Sequence, residues 1–256
     1  MLNHALLGQF ADELYVVNTL DKRFSVYQKY ISDLGFNGAT YTFVPALLKE
    51  LTPTLTPVFI CTGEYPVEFI DQYQQQQLNK NDFTIRLVLA QNAPDFMDWR
   101  AHERNGLVSE QEADLILLAR EDYGINNALT IPMLYRDKGI GSVSIVSPEA
   151  DTNFQKLLDN NLHTVMRCTQ LFHNLNLASP EQSMVFMKPL LDSLKPKELL
   201  ILRHLASGHP LKTIGHGISY RYANNMLDDL RTRMGGITKD KLLYLIGHLH
   251  LLDAVD

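Results

Sequence analysis

Long apolar runs are missing from these 256 residues. No stretch approaches the ~18 needed to span a bilayer. The first residues, Met1-Leu2-Asn3-His4, lack the basic and apolar regions of a signal peptide. The expectation is a cytoplasmic chain with no membrane partner. Cysteine is scarce: Cys61 and Cys168 stand far apart and read as reduced thiols, not as a disulfide framework or metal site. Phosphate-cradling glycine loops and a Gly-x-Ser-x-Gly nucleophile turn are also absent, which argues against an enzyme. Histidines gather late (204, 209, 216, 248, 250) but without ligand spacing, so no metal and no cofactor are expected. There is no internal repeat, and the only low-complexity tract is Gln74-Gln75-Gln76-Gln77.

What is present suffices for a folded core. Hydrophobic residues make up 45% and charged residues 20%, which excludes overall disorder. The length fits one large or two modest domains. The net charge of −6 is unevenly spread: residues 187–256 carry +3 and the remainder −9. A mildly basic tail on an acidic body permits nucleic-acid binding without demanding it.

Taken in order, residues 5–16 and 21–34 have helical periodicity. Ala39–Val44 alternates and reads as a strand ending at Pro45, and Val58–Cys61 as a second strand. Residues 46–56 read as loop. Tyr65–Gln77 is a predicted helix, with Phe69 and Tyr73 four apart on one face. Phe83–Leu89 fits either helix or strand. Ser109 with Glu112 forms a capping box that starts a helix over 109–119. Ile125–Leu134 and Ser142–Val146 read as paired strands, with Lys138-Gly139-Ile140-Gly141 as the turn. Asp151–Leu177 is one long helix. Ala178–Ser183 is the linker candidate, and helices follow over 197–207, 221–234 and 238–252, Pro210 opening another.

This order predicts an α+β fold. It comprises an N-terminal α/β/α sandwich with a central antiparallel sheet of about five strands, and a C-terminal four-helix domain with a helix-turn-helix. The domain boundaries are 1–177, a linker over 178–190, and 191–256.

The stretch from Tyr65 to Asp82 carries the first functional signal. A phenol, an aromatic face and a carboxylate meeting in an apolar pocket can hold a small ligand with an amide N–H and carbonyls. Aromatic residues at this spacing also serve as plain core. Tyr65-Pro66-Val67-Glu68-Phe69, Tyr73 and Asp82 keep the spacing of a motif in the LuxR-type quorum-sensing regulators, which the chain resembles over roughly 20–252. These join an acyl-homoserine-lactone-binding domain to a helix-turn-helix. Ala128-Leu129-Thr130-Ile131-Pro132, Gly141-Ser142-Val143-Ser144 and Trp99 resemble further family segments. The resemblance implies a ligand set of Tyr65, Phe69, Tyr73, Asp82, Thr84, Trp99, Ala128, Thr130 and Ser144. The sequence departs from the pattern at Phe69 (family Trp), Phe83 (Pro) and Ala128 (Gly). Phe69 fills volume but donates no hydrogen bond. One carbonyl left unpaired there would cost ~1–3 kcal/mol.

In the tail, Leu194–Leu202, Thr213-Ile214-Gly215, Gly217-Ile218-Ser219 and Leu230–Gly235 resemble the family's DNA-binding segments. Two residues are missing between Gly215 and Gly217, and Asp228-Asp229 replaces basic or neutral residues. A recognition helix would offer Arg221, Tyr222, Asn224 and Asn225 to base edges. Lys212, Arg231 and Arg233 would meet phosphate, and Asp228 and Asp229 would face away. The expected function is a homodimeric regulator that binds an N-acyl homoserine lactone-like autoinducer and double-stranded operator DNA. The alternatives are a receptor for a non-lactone ligand, or a regulator acting through a protein partner.

Overall fold

The structure, a computed structural model, describes residues 2–45, 58–90, 92–135, 139–179, 185–186, 188–215, 217–233 and 236–248. The expected loop over 46–56, Lys138, most of the linker candidate and the end of the last helix lie outside these residues. The chain divides into two compact units. One comprises Met1–Phe43, Phe59–Arg136 and Ile140–Ala178; the other comprises Val44–Val58, Asp137–Gly139 and Ser179–Asp256.

The first unit is an α+β sandwich. Two helices, α1 (His4–Val16) and α2 (Leu20–Asp33), lead into β1 (Gly38–Pro45) and β2 (Phe59–Cys61). Next come α3 (Val67–Gln75), a 3-10 turn at Leu78–Asn81, α4 (Phe83–Leu89), β3 (Met97–Asp98), α5 (Trp99–Arg104) and α6 (Glu110–Tyr123). The hairpin strands β4 (Asn127–Tyr135) and β5 (Gly139–Ser147) precede the long α7 (Asp151–Leu177). The five strands form one antiparallel sheet in the order β2-β1-β5-β4-β3. Alternation along β1 and β5 gives the sheet two characters. Tyr41, Phe43, Val143 and Ile145 are almost wholly buried on one face, where Tyr41 meets Phe172 of α7 edge-on at 5.0 Å. Phe10, Phe24 and Tyr27 extend this aromatic cluster. Thr40, Thr42, Ser142 and Ser144 point the other way.

Local chemistry sets the element ends. Ser109 Oγ accepts the Glu112 N–H, and the Glu112 carboxylate accepts the Ser109 N–H, so the capping box forms as read. The hairpin turn does not fall where expected. Gly139, Ile140 and Gly141 belong to β5, because a Cβ at Gly141 would press on Thr42 O at 3.0 Å. That glycine permits close approach of strands, not a turn. The ambiguous 83–89 segment is helical because Asp82 caps it.

The second unit is helical: α8 (Lys188–Ser193), α9 (Pro196–Ala206), a 3-10 turn at Leu211–Thr213, α10 (Tyr220–Arg233) and α11 (Lys239–His248). Ile201, Leu202, Leu205, Ala223, Leu227, Leu230 and Leu242 form its core. Pro210 does not open a full helix, since only the three-residue turn forms. His204 Nε2 lies 3.0 Å from Pro210 O and pins that turn. Gly217 then takes a left-handed φ of 71° and redirects the chain into α10.

Candidate functional site

One cavity of about 30 Å³ opens between the polar face of the sheet and helices α3, α4 and α5. Tyr65, Phe69, Tyr73, Asp82, Thr84, Trp99 and Ser144 of the sequence-derived set all line it. Asp82 is its chemical centre. Its Oδ1 accepts Thr84 N–H at 2.8 Å, Thr84 Oγ1–H at 2.7 Å and, more weakly, Ile85 N–H at 3.4 Å. That oxygen is the N-cap of α4. The other oxygen, Oδ2, accepts the Tyr73 hydroxyl at 2.8 Å. Burial pushes the Asp82 carboxyl above its usual range, although the bonds from Thr84 and Tyr73 oppose the shift. Burial, then the Asp82 charge, raises Tyr73 well above an ordinary phenol.

A second hydrogen-bonded chain closes the opposite side. Trp99 Nε1–H donates to Thr130 Oγ1 at 2.9 Å, and Thr130 Oγ1 lies 2.8 Å from Ser144 Oγ. The single tryptophan is thus held against β4 and β5, and Asp98 caps its helix by accepting Ala101 N–H at 2.9 Å. Arg86 of α4 grips Glu112 of α6 through two bonds, at 2.6 and 3.0 Å, so the capping helix is anchored from behind.

The departures have places too. Phe69 packs between Tyr73, at 6.0 Å, and Tyr123, at 5.3 Å. Phe83 leans on the His102 ring at 5.0 Å. Ala128 is fully buried on β4 but is not part of the cavity wall. Thr40, Thr42 and Ser142 are wall residues that motif reading passed over. Their signal was the alternation of small hydroxyls with Tyr41, Phe43 and Val143.

A family model described as the autoinducer binding domain matches residues 19–174. The chain belongs to the autoinducer-binding-domain family. The cavity lies wholly within this autoinducer-binding domain, and the resemblance to LuxR-type regulators is borne out. Solved structures agree on the fold. SdiA from Escherichia coli is 16% identical, covering 97% of this chain and 98% of that one, with a TM-score of 0.50. SdiA in complex with octanoyl-rac-glycerol is 15% identical over 98% of both chains, with a TM-score of 0.50. CepR2 from Burkholderia cenocepacia, described as an N-acylhomoserine lactone dependent LuxR family transcription factor, is 15% identical. It covers 68% of this chain and 98% of its own, with a TM-score of 0.52. A sequence comparison with curated proteins gives no match.

The helical unit distributes its polar groups unevenly. Arg221, Tyr222 and Asn225 are exposed on the first turns of α10, and Ser219 Oγ accepts the Tyr222 N–H there. Lys212 is exposed on the 3-10 turn. Lys197 Nζ sits 5.2 Å above the Tyr222 ring. The remaining candidates are engaged internally. Asn224 donates to Asp228 at 3.1 Å, and Arg231 pairs with Asp228 and donates to Ile237 O. Arg233 meets the buried Glu198 at 2.5 Å. Among the described residues, no group of three His, Cys, Asp or Glu could hold a metal. None of their helices is long and apolar enough to cross a membrane.

Proposed function

We propose that the protein is a ligand-responsive transcription regulator whose effector is an N-acyl amide of the homoserine-lactone type. The observation that carries this reading is Asp82 Oδ2. It is a buried carboxylate oxygen facing a cavity, held by one phenol, with its partner oxygen fixed by the helix cap. An amide N–H entering the cavity would bond to Oδ2. The Tyr73 hydroxyl would then turn to donate to the acyl carbonyl, with Ser144 within reach of the same oxygen. Phe69 offers no donor to a lactone carbonyl, so the grip at that end is weaker or the head group differs. The roles required are binding and orientation, with no bond made or broken.

Ligand burial would be coupled to folding. A ligand that binds only the folded state stabilises it by mass action, about 2.7 kcal/mol at a hundredfold excess over Kd. The stabilised unit would pair through α7 and the final helix, and two copies of α10 would meet a two-fold symmetric operator. Melting temperature and soluble yield, measured with and without a panel of acyl-homoserine lactones, test the effector reading. No shift with any member would refute it.

Two observations favour a second reading, a regulator that acts by protein contact. Arg231 and Arg233 are committed to carboxylates of their own unit, and the helix expected before α10 is only a 3-10 turn. Gel shift against genomic fragments separates the two, because a reproducible palindromic site would end the second.

A further inference from the structure

The polar face of the sheet is buried, yet it carries hydroxyls instead of hydrocarbon. Thr40 and Thr42 on β1, and Ser142 and Ser144 on β5, form one wall of the cavity. The opposite face of the same strands carries Tyr41, Phe43, Val143 and Ile145, each at most 1% exposed. The same two strands therefore present an apolar face to α7 and a hydroxyl face to the ligand cavity.

Buried hydroxyls are normally paired. Ser144 is bonded through Thr130, and Thr40 Oγ1 receives only a long contact from Cys61 Sγ at 3.5 Å. Ser142 is 9% exposed and its hydroxyl has no hydrogen-bond partner among the described residues. Tyr65, 3% exposed, is in the same position across the cavity. A wall built for a plain alkyl chain would bury these groups against hydrocarbon, where each unmet hydroxyl is costly.

We infer that this wall selects ligands whose chain carries oxygen: N-acyl amides with a hydroxyl or keto group on the acyl chain, preferred over the plain chain of equal length. Ser142 and Thr40 are the specificity-determining residues. The inference rests on the proposed N-acyl amide reading and adds to it the chemistry of the chain. A chain hydroxyl can accept from Ser142 and donate to Thr40 Oγ1, and a chain ketone can accept from Ser142 alone.

The test uses the full chain and pairs of acyl-homoserine lactones matched in length, with and without a 3-hydroxyl or 3-oxo group. Affinities come from titration calorimetry. The expected result is tighter binding of the oxygenated member by about tenfold or more, the scale of one satisfied buried hydrogen bond. In Ser142→Ala combined with Thr40→Val, that ratio falls toward one and the plain member binds more tightly than to the natural chain. A purely structural role for these hydroxyls would weaken both ligands together. If plain and oxygenated members bind the natural chain equally, the inference fails while the N-acyl amide reading stands. If no member binds, both fail. The comparison within the natural chain decides the matter even if the double variant does not fold.

Discussion

Replacing Arg233 by alanine removes the cation from a carboxylate that barely reaches water. The Glu198 side chain is 2% exposed. One oxygen takes the Arg233 guanidinium at 2.5 Å, and the other takes the Lys195 N–H at 2.8 Å at the start of α9. Removing one partner of a buried pair costs about 3–5 kcal/mol. Two features lower that figure. Arg233 is itself 43% exposed, so water can enter where it stood. The Lys195 N–H also remains to hold the second oxygen. The expected loss is therefore about 2 kcal/mol. For a unit of this size it lowers the melting temperature by roughly 8–15 °C, read by calorimetry on the full chain. Adding Glu198→Gln removes the stranded charge and should restore most of that stability. DNA affinity separates the structural role from a phosphate contact. If Arg233 also touches phosphate, the stable double variant still shows a salt slope smaller by about one. A shift below about 2 °C for Arg233→Ala, or a double variant no more stable than the single one, would refute the reasoning.

Asp82→Asn tests the buried carboxylate. A folded-state value raised above 3.8 means that folding favours the neutral acid. That contribution is complete below the unfolded value and is lost as pH rises through the folded one. The ligand-free variant should therefore gain melting temperature over the natural chain progressively above pH 3.8, while its amide nitrogen faces the ligand N–H and affinity falls by about tenfold or more. Equal pH profiles would show that the carboxylate is not strained. Phe69→Trp puts an indole between Tyr73 and Tyr123 beside a nearly filled cavity. The ligand-free form should lose about 1–3 kcal/mol in denaturant unfolding, while a lactone ligand binds more tightly; weaker lactone binding would mean that the site takes a different head group. Gly38→Ala should destabilise the fold by about 1–3 kcal/mol, because its Cβ would sit 2.8 Å from the Tyr65 nitrogen, an atom of backbone that cannot swing away. Unchanged unfolding would show that the Tyr65 turn yields freely.

The elements most legible in the sequence are those with a single local cause. The long helix runs over Asp151–Leu177 as its periodicity required, and the Ser109–Glu112 box starts α6. Strand alternation in 39–44 and 142–146 placed the sheet faces correctly in outline. Misread elements answer to contacts from elsewhere in the chain. Gly139 and Gly141 looked like a turn, but Gly141 is small because Thr42 O and the Phe43 and His173 rings crowd it. Residues 83–89 looked ambiguous because an apolar run of seven has no period of its own. The deciding group is the Asp82 cap, which had been read only as a ligand contact. The turn after Pro210 looked helical because the Thr213–Gly215 resemblance said so, while Gly215 and Gly217 leave no room for a second turn.

That double use of Asp82 is the strongest physical link between the proposed ligand and the fold. One oxygen starts α4, which Arg86 ties to Glu112 of α6. The second oxygen has only the Tyr73 hydroxyl. A carboxylate buried with one neutral donor on that side is electrostatically under-served, which is why burial outweighs its hydrogen bonds. An added N–H on Oδ2 would strengthen the ionised form, and with it the cap and the helix behind the cavity. The ligand would then stabilise α4 through a side chain already built into that helix, without needing to move it. A ligand with the acyl chain but an ester in place of the amide lacks that N–H. It should raise the melting temperature less than its amide counterpart at equal occupancy. The deficit should disappear in Asp82→Asn, where no carboxylate remains to be relieved. Equal stabilisation of the natural chain by amide and ester would remove Asp82 from the coupling and leave burial of the chain as its source.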